Sequence, residues 1–205
     1  DALAEMMRNT EQMGELGAFF KSRFSEFDFE DCELVGPSRT FSGHLSVNVG
    51  DKAVELIEVG PAHTLGDILI HVPGNKIVYT GDILFVGGTP IIWAGPVGNW
   101  IKACDLIVEM DVDVIVPGHG PITDKAGVRR MQEYLVFVDT EARKRYDAGL
   151  SMEDAIQDIA LGDFSSWGNA ARIAVNVSTL YREYAGDTSE RDIMSLFAMM
   201  AKIAH

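Results

Sequence analysis

Three side chains of this sequence can do chemistry together although they lie far apart along it: His63, Asp82 and His119. His63 sits in Gly60-Pro61-Ala62-His63-Thr64-Leu65-Gly66-Asp67. Asp82 sits in Tyr79-Thr80-Gly81-Asp82-Ile83-Leu84-Phe85, and His119 in Val116-Pro117-Gly118-His119-Gly120-Pro121. Each follows an apolar run and is flanked by glycine or proline, so each is expected where a strand stops. Imidazole and carboxylate are natural ligands for zinc, iron or manganese. An aspartate has two oxygens and a formal charge to share, so Asp82 is suited to bridge two metals while a neutral histidine completes each. Metals about 3.5–4 Å apart lower the pKa of a shared water and polarise a carbonyl or phosphoryl oxygen. Three dispersed ligands alone are a weak signal, because Gly-Asp is also an ordinary turn.

The elements that would position these residues follow from periodicity. Leu45, Val47 and Val49 alternate with Ser46 and Asn48, and Gly50-Asp51 makes a two-residue turn into a return strand, Ala53 to Val59. A second strand pair, Ile68–Val72 and Lys76–Thr80, turns at Pro73-Gly74-Asn75. His44 at the polar start of the hairpin reads as a surface residue, and His71 as a satisfied structural histidine. Residues 83–98 read as a long Gly/Pro-rich loop, a length at which loops are often functional. Its Trp93, and Phe85 just after Asp82, are the candidate substrate-proximal residues, with plugging of the core as the alternative for Trp93. Asn99 is expected to cap a helix over 100–110 with Ile101, Cys104 and Val108 inward. Val112–Val116 then forms a strand, so a β-α-β crossover leads to His119.

The flanks are helical. Residues 2–20 have apolar residues at helical spacing, and 21–40 form an aromatic-rich connection or lid carrying Phe24, Phe27 and Phe29. After 123 the chain is almost all helix, over 124–148, from Ser151, over 169–185 and over 189–204. The expected division is 1–123 and 124–205, the second part carrying no legible chemistry.

Composition narrows the partners. The 205 residues are 47% hydrophobic and 23% charged, ordinary for a globular chain, and the net charge is −14. That charge repels phosphate backbones and anionic membranes. Two cysteines, Cys32 and Cys104, form no metal motif and no disulfide framework, which fits a cytoplasmic location. No apolar run is long enough to cross a membrane.

The succession Ala-His-Thr-x-Gly-Asp, strand pair, Thr-Gly-Asp-x-Leu-Phe, then helix and strand to Val-Pro-Gly-His-Gly-Pro resembles the metallo-β-lactamase superfamily, in its hydrolase branch near the glyoxalase II-like enzymes. The resemblance is strong over about 41–123. It implies an α/β fold, the C-terminal part of a four-layer αβ/βα sandwich followed by a helical tail. It implies that His63 binds one metal, Asp82 bridges both and His119 binds the second, with zinc expected. The activity implied is cleavage of an ester, thioester, lactone or amide of a small molecule by metal-bound hydroxide.

One departure matters. The family carries a His-x-His-x-Asp-His signature upstream, and this sequence has none. Asp1 is neither an initiator methionine nor part of a signal peptide. The expectation is therefore a chain lacking the N-terminal half, inactive by itself, poor at holding metal, and a homodimer or higher oligomer through its open sheet. The competing class is a non-catalytic remnant or partner-binding fragment. Nucleic-acid processing is disfavoured by the charge. For an iron oxidoreductase with a flavin domain, no flavin-binding segment is visible.

Overall fold

The alternating hydrophobic pattern of the first hairpin becomes β1 (His44–Val49) and β2 (Lys52–Glu58), paired antiparallel from His44 opposite Ile57 to Val49 opposite Lys52. β3 (Ile68–Val72) continues the antiparallel order and turns through Pro73-Gly74-Asn75 into β4 (Ile77–Phe85). Helix α2 (Val97–Glu109) then carries the chain over to β5 (Val114–His119), which pairs parallel to β4. The result is one five-stranded sheet in the order β1-β2-β3-β4-β5, and the expected crossover is present. The computed structural model describes residues 10–24, 26–27, 35–189 and 191–203.

Helices follow on both sides of this sheet in sequence. Before it lie a short turn of 3₁₀ helix, Thr10–Met13, and α1 (Gly14–Phe24). The helix expected over 2–20 is thus seen from Thr10 and runs on to Phe24, while residues 1–9 lie outside the described residues. Of the aromatic stretch, Phe29 lies outside them too, and Phe27 is exposed. After the sheet come α3 (Lys125–Asp147), α4 (Met152–Asp158), α5 (Ile173–Ala185) and α6 (Ile193–Ile203). Caps fix their starts: Asp124 accepts from the backbone of Ala126 and Gly127, and Ser151 from Asp154.

Two sequence expectations about α2 and β4 change. α2 begins at Val97 with Pro96 before it, not behind an Asn99 cap. Proline is tolerated there because the first helical N–H groups have no intrahelical partner to lose. Its buried face is Val97, Trp100, Ala103, Cys104 and Ile107, so Trp100 rather than Ile101 anchors the helix. β4 does not stop before Asp82 but continues to Phe85, and Ile83, Leu84 and Phe85 are all buried.

The chain forms two compact units, residues 41–191 and residues 1–40 with 192–205. The first unit runs straight through the expected boundary near 123. Thr123 and Ile115 exchange both backbone hydrogen bonds, which stitches the start of the helical region to β5. Phe85 donates its N–H to Met131 Sδ on α3, and α3 buries Val128, Met131, Tyr134, Leu135, Val138 and Ala142. All residues discussed below belong to this unit. Among the described residues no helix is long and apolar enough to cross a membrane.

Candidate metal centre

Asp82 is aimed by an irregularity in its strand. The β4–β5 register shifts on both sides of the Gly81–Pro117 pair, and Gly81 takes a φ of 51°, which a side-chain-bearing residue rarely adopts. The carboxylate then lies over Gly118. A β-carbon at Gly118 would sit 2.2 Å from Asp82 Oδ1 and 2.6 Å from the Gly81 carbonyl carbon, so only glycine fits.

The structure brings the three candidate ligands together. Asp82 Oδ2 is 3.4 Å from His63 Nε2, and Asp82 Oδ1 is 3.4 Å from His119 Nε2. His63 is embedded, with 9% of its side chain exposed, whereas His119 is 51% exposed, so the mouth opens on the His119 side. Among the described residues, no group of three or more His, Cys, Asp or Glu side chains is arranged to hold a metal ion. The trio is two His–Asp pairs sharing one carboxylate.

His119 ends β5 and is supported from below by Phe85, whose ring stacks on it at 4.4 Å between centroids. Phe85 is 1% exposed, so it borders the site through the His119 ring rather than through an open surface. The Arg172 guanidinium lies 5.3 Å from the centre of the Phe85 ring.

His63 is held on every side. Its Nδ1 is 2.6 Å from the Ile91 carbonyl oxygen. A carbonyl only accepts, so Nδ1 carries the proton and Nε2 turns a lone pair toward Asp82. Trp93 and Ala94 donate their N–H groups to the His63 carbonyl, and Gly95 donates to Ala62. Thr64 donates its N–H and hydroxyl to Asp67, closing the loop after His63. Trp100 meets the His63 ring edge-on at 5.7 Å and donates its indole N–H to the Ile83 carbonyl. Burial lowers the His63 pKa below its ordinary value, and the Ile91 hydrogen bond and Asp82 charge oppose this.

The 86–96 loop that grips His63 is itself gripped by α5. Asn176 accepts from Ile92 N at 2.8 Å and donates to the Pro90 carbonyl and to Tyr134 Oη, both at 3.0 Å. Thr179 donates to the Ile92 carbonyl at 2.6 Å, and Arg172 donates to the Thr89 carbonyl. Arg191 reaches back to the carbonyls of Trp93 and Ala94 and to the Thr179 hydroxyl. Trp93 is half-buried, and its main chain is clasped between His63 and Arg191.

Sequence reading missed this clamp. Its signal was present: Asn176, Ser178 and Thr179 interrupt an otherwise apolar helix, and all three are buried. Buried polar residues in a helix interior need partners, and these point to a backbone that lacks its own. Of the other histidines among the described residues, His44 is exposed and pairs with Glu55, as a surface residue should. The His71 Nε2 is buried and has no partner among the described residues, contrary to a fully satisfied histidine.

The family described as the metallo-beta-lactamase superfamily matches residues 13–119, just over half of the chain. This chain belongs to that superfamily. It is 32% identical over 88 residues to the 2,4-dinitroanisole O-demethylase subunit alpha of Nocardioides sp., covering 40% of this chain and 26% of that protein. It is 30% identical over 99 residues to a hydroxyacylglutathione hydrolase of Rhizobium etli, covering 43% and 38%. It is 27% identical over 93 residues to the human acyl-coenzyme A thioesterase MBLAC2, covering 42% and 33%. The chain therefore spans 26–38% of the length of these relatives. Among solved structures, the sec-alkylsulfatase Pisa1 from Pseudomonas sp. aligns over 75% of this chain and 27% of its own, at a TM-score of 0.58 and 16% identity, a likeness of fold.

Proposed function

We propose that the intact protein is a metal-dependent hydrolase of a small ester, thioester, lactone or amide, with thioesters the first class to test. The observation that carries this reading is one carboxylate facing two histidines, each at 3.4 Å. That distance is long for a hydrogen bond. It is about the separation of two ligands on a tetrahedral zinc with bonds near 2.1 Å. With His63 neutral, its Nε2 lone pair faces the Asp82 Oδ2 carboxylate, a contact that either a proton on Nε2 or a metal cation between them would make favourable. The donor types, imidazole and carboxylate, suit zinc, with iron or manganese as the other candidates. In this reading His63 and His119 each hold a metal and Asp82 is shared. The metal supplies Lewis acidity toward a carbonyl oxygen and lowers the pKa of bound water.

The chain's own part is orientation. The Ile91 carbonyl fixes the His63 tautomer, Phe85 sets the plane of His119, and Gly118 makes room for Asp82. Trp93, half-buried beside His63, lines the substrate side. Thioesters come first because two relatives carry the names acyl-coenzyme A thioesterase and hydroxyacylglutathione hydrolase.

Metal analysis of the intact protein with an ester, thioester and lactone panel tests the reading. Stoichiometric zinc with turnover is expected, and metal-free protein with no turnover on any substrate would end it. For the 205-residue chain alone we propose weak metal affinity and no turnover, since three donors must serve two ions. Calorimetry giving a nanomolar zinc site in this chain would contradict that. We further infer a homodimer or higher oligomer, supported by β1, an edge strand of the sheet, and checked by sedimentation. A cytoplasmic location is supported by the low cysteine count and the buried free thiol of Cys104.

A further inference from the structure

We propose that Asn176, on helix α5, is a positioning residue for the metal site: by fixing the loop at Pro90 and Ile92 it aims the Ile91 carbonyl that holds His63 with its Nε2 lone pair toward Asp82. This deepens the metallohydrolase reading and, as to what His63 binds, rests on it.

The route is short. Asn176 is fully buried and makes three hydrogen bonds, two of them to the residues on either side of Ile91. The amide oxygen takes the Ile92 N–H and the amide nitrogen gives to the Pro90 carbonyl, so one side chain replaces the strand partner this irregular segment lacks. With both neighbours fixed, the Ile91 carbonyl points at His63 Nδ1 at 2.6 Å. A metal-ligating histidine needs its second nitrogen tied in this way, because the tie selects the tautomer and the ring angle. Asparagine is a poor residue for a helix interior, and an apolar residue would pack the same space with less cost to the helix. What an apolar residue cannot do is pair with both an N–H and a carbonyl.

The test reads the ring itself. Long-range proton–nitrogen correlation spectra of the 205-residue chain at pH 8 report which nitrogen of each histidine carries the proton. The His63 signal is assigned by its loss in His63→Gln. The chain is expected to show His63 protonated at Nδ1. Asn176→Ala is expected to move the tautomer ratio toward Nε2–H about threefold or more, the size of losing most of one hydrogen bond. Tyr134→Phe removes the third partner of Asn176 but neither loop bond; it is expected to lower the unfolding midpoint and leave the ratio unchanged. An unchanged ratio in folded Asn176→Ala overturns the proposal, as does an equal shift in Tyr134→Phe, which would mark a general packing effect. If Asn176→Ala does not fold, Asn176→Asp keeps the acceptor for Ile92 and loses the donor to Pro90. A smaller shift in the same direction then supports the proposal, and no shift overturns it. Zinc calorimetry of the intact protein, where stoichiometric zinc is expected, separates the two readings. The expected tautomers without zinc binding sink only the metal assignment, and zinc binding with unmoved tautomers sinks only the role of Asn176.

Discussion

Gly118 shows how little room a single residue has at this site. The space a side chain would need is filled by the Asp82 carboxylate and by the Gly81 backbone, and the backbone cannot swing aside. Gly118→Ala is expected to destabilise the fold by about 1–3 kcal/mol through overpacking, measured by urea unfolding. In the intact protein it should also weaken zinc binding, because Asp82 must move off its line to both histidines. The opposite case is Cys104. Burial pushes its thiol up to about 12, so at pH 8 it is expected to resist iodoacetamide until the protein unfolds, read residue by residue by mass spectrometry. At this scale the sequence singled out His63, Asp82 and His119 by residue type and loop context, and the structure brings both histidines to 3.4 Å from the one carboxylate. The sequence was silent about Phe85 as a support for His119. Stacking is a property of the β4–β5 pairing, in which Phe85 and His119 stand opposite each other, and residue type carries no trace of it.

Among the elements, the strands were legible and the helix ends were not. Alternation fixed the β1–β2 hairpin because one-residue slips would turn apolar residues to water. The start of α2 was misplaced because Asn99 looks like a cap, while the actual start depends on the loop before it and on where Trp100 must go. Trp100 is fully buried, donates to Ile83 and flanks His63. Trp100→Phe keeps an aromatic ring but loses the indole donor and leaves a gap. A loss of about 1–3 kcal/mol is expected in equilibrium unfolding, since the buried Ile83 carbonyl loses that bond. The extension of β4 through Asp82 was also hidden, because Thr-Gly-Asp reads locally as a turn and only parallel pairing to β5 keeps it in the sheet.

For the molecule as a whole, the helices after the sheet are the part that sequence reading left without a role, and they hold the loop that holds His63. Glu183 on α5 takes part: it accepts from Val97 N at the start of α2. Burial raises its pKa above the ordinary carboxylate value, and the neighbouring Asp139 adds to this, while the Val97 bond and Arg143 oppose it. The folded protein therefore keeps this proton to higher pH than the unfolded chain does, and the group's contribution falls as pH rises from the unfolded value through the raised one. Glu183→Gln retains an acceptor for Val97 and cannot ionise. Its stability relative to the parent is expected to increase with pH across that window, measured as unfolding midpoints from pH 4 to 7; a constant difference would refute the assignment. The clamp also has an order in time. Ile92 and Asn176 are 84 residues apart, and at about 5–20 residues per second a ribosome needs roughly 4–17 s to make the second after the first. Throughout that interval a nascent chain has the loop but not its fastener, so the support of His63 is a late product of synthesis, in place only once the first turn of α5 is made.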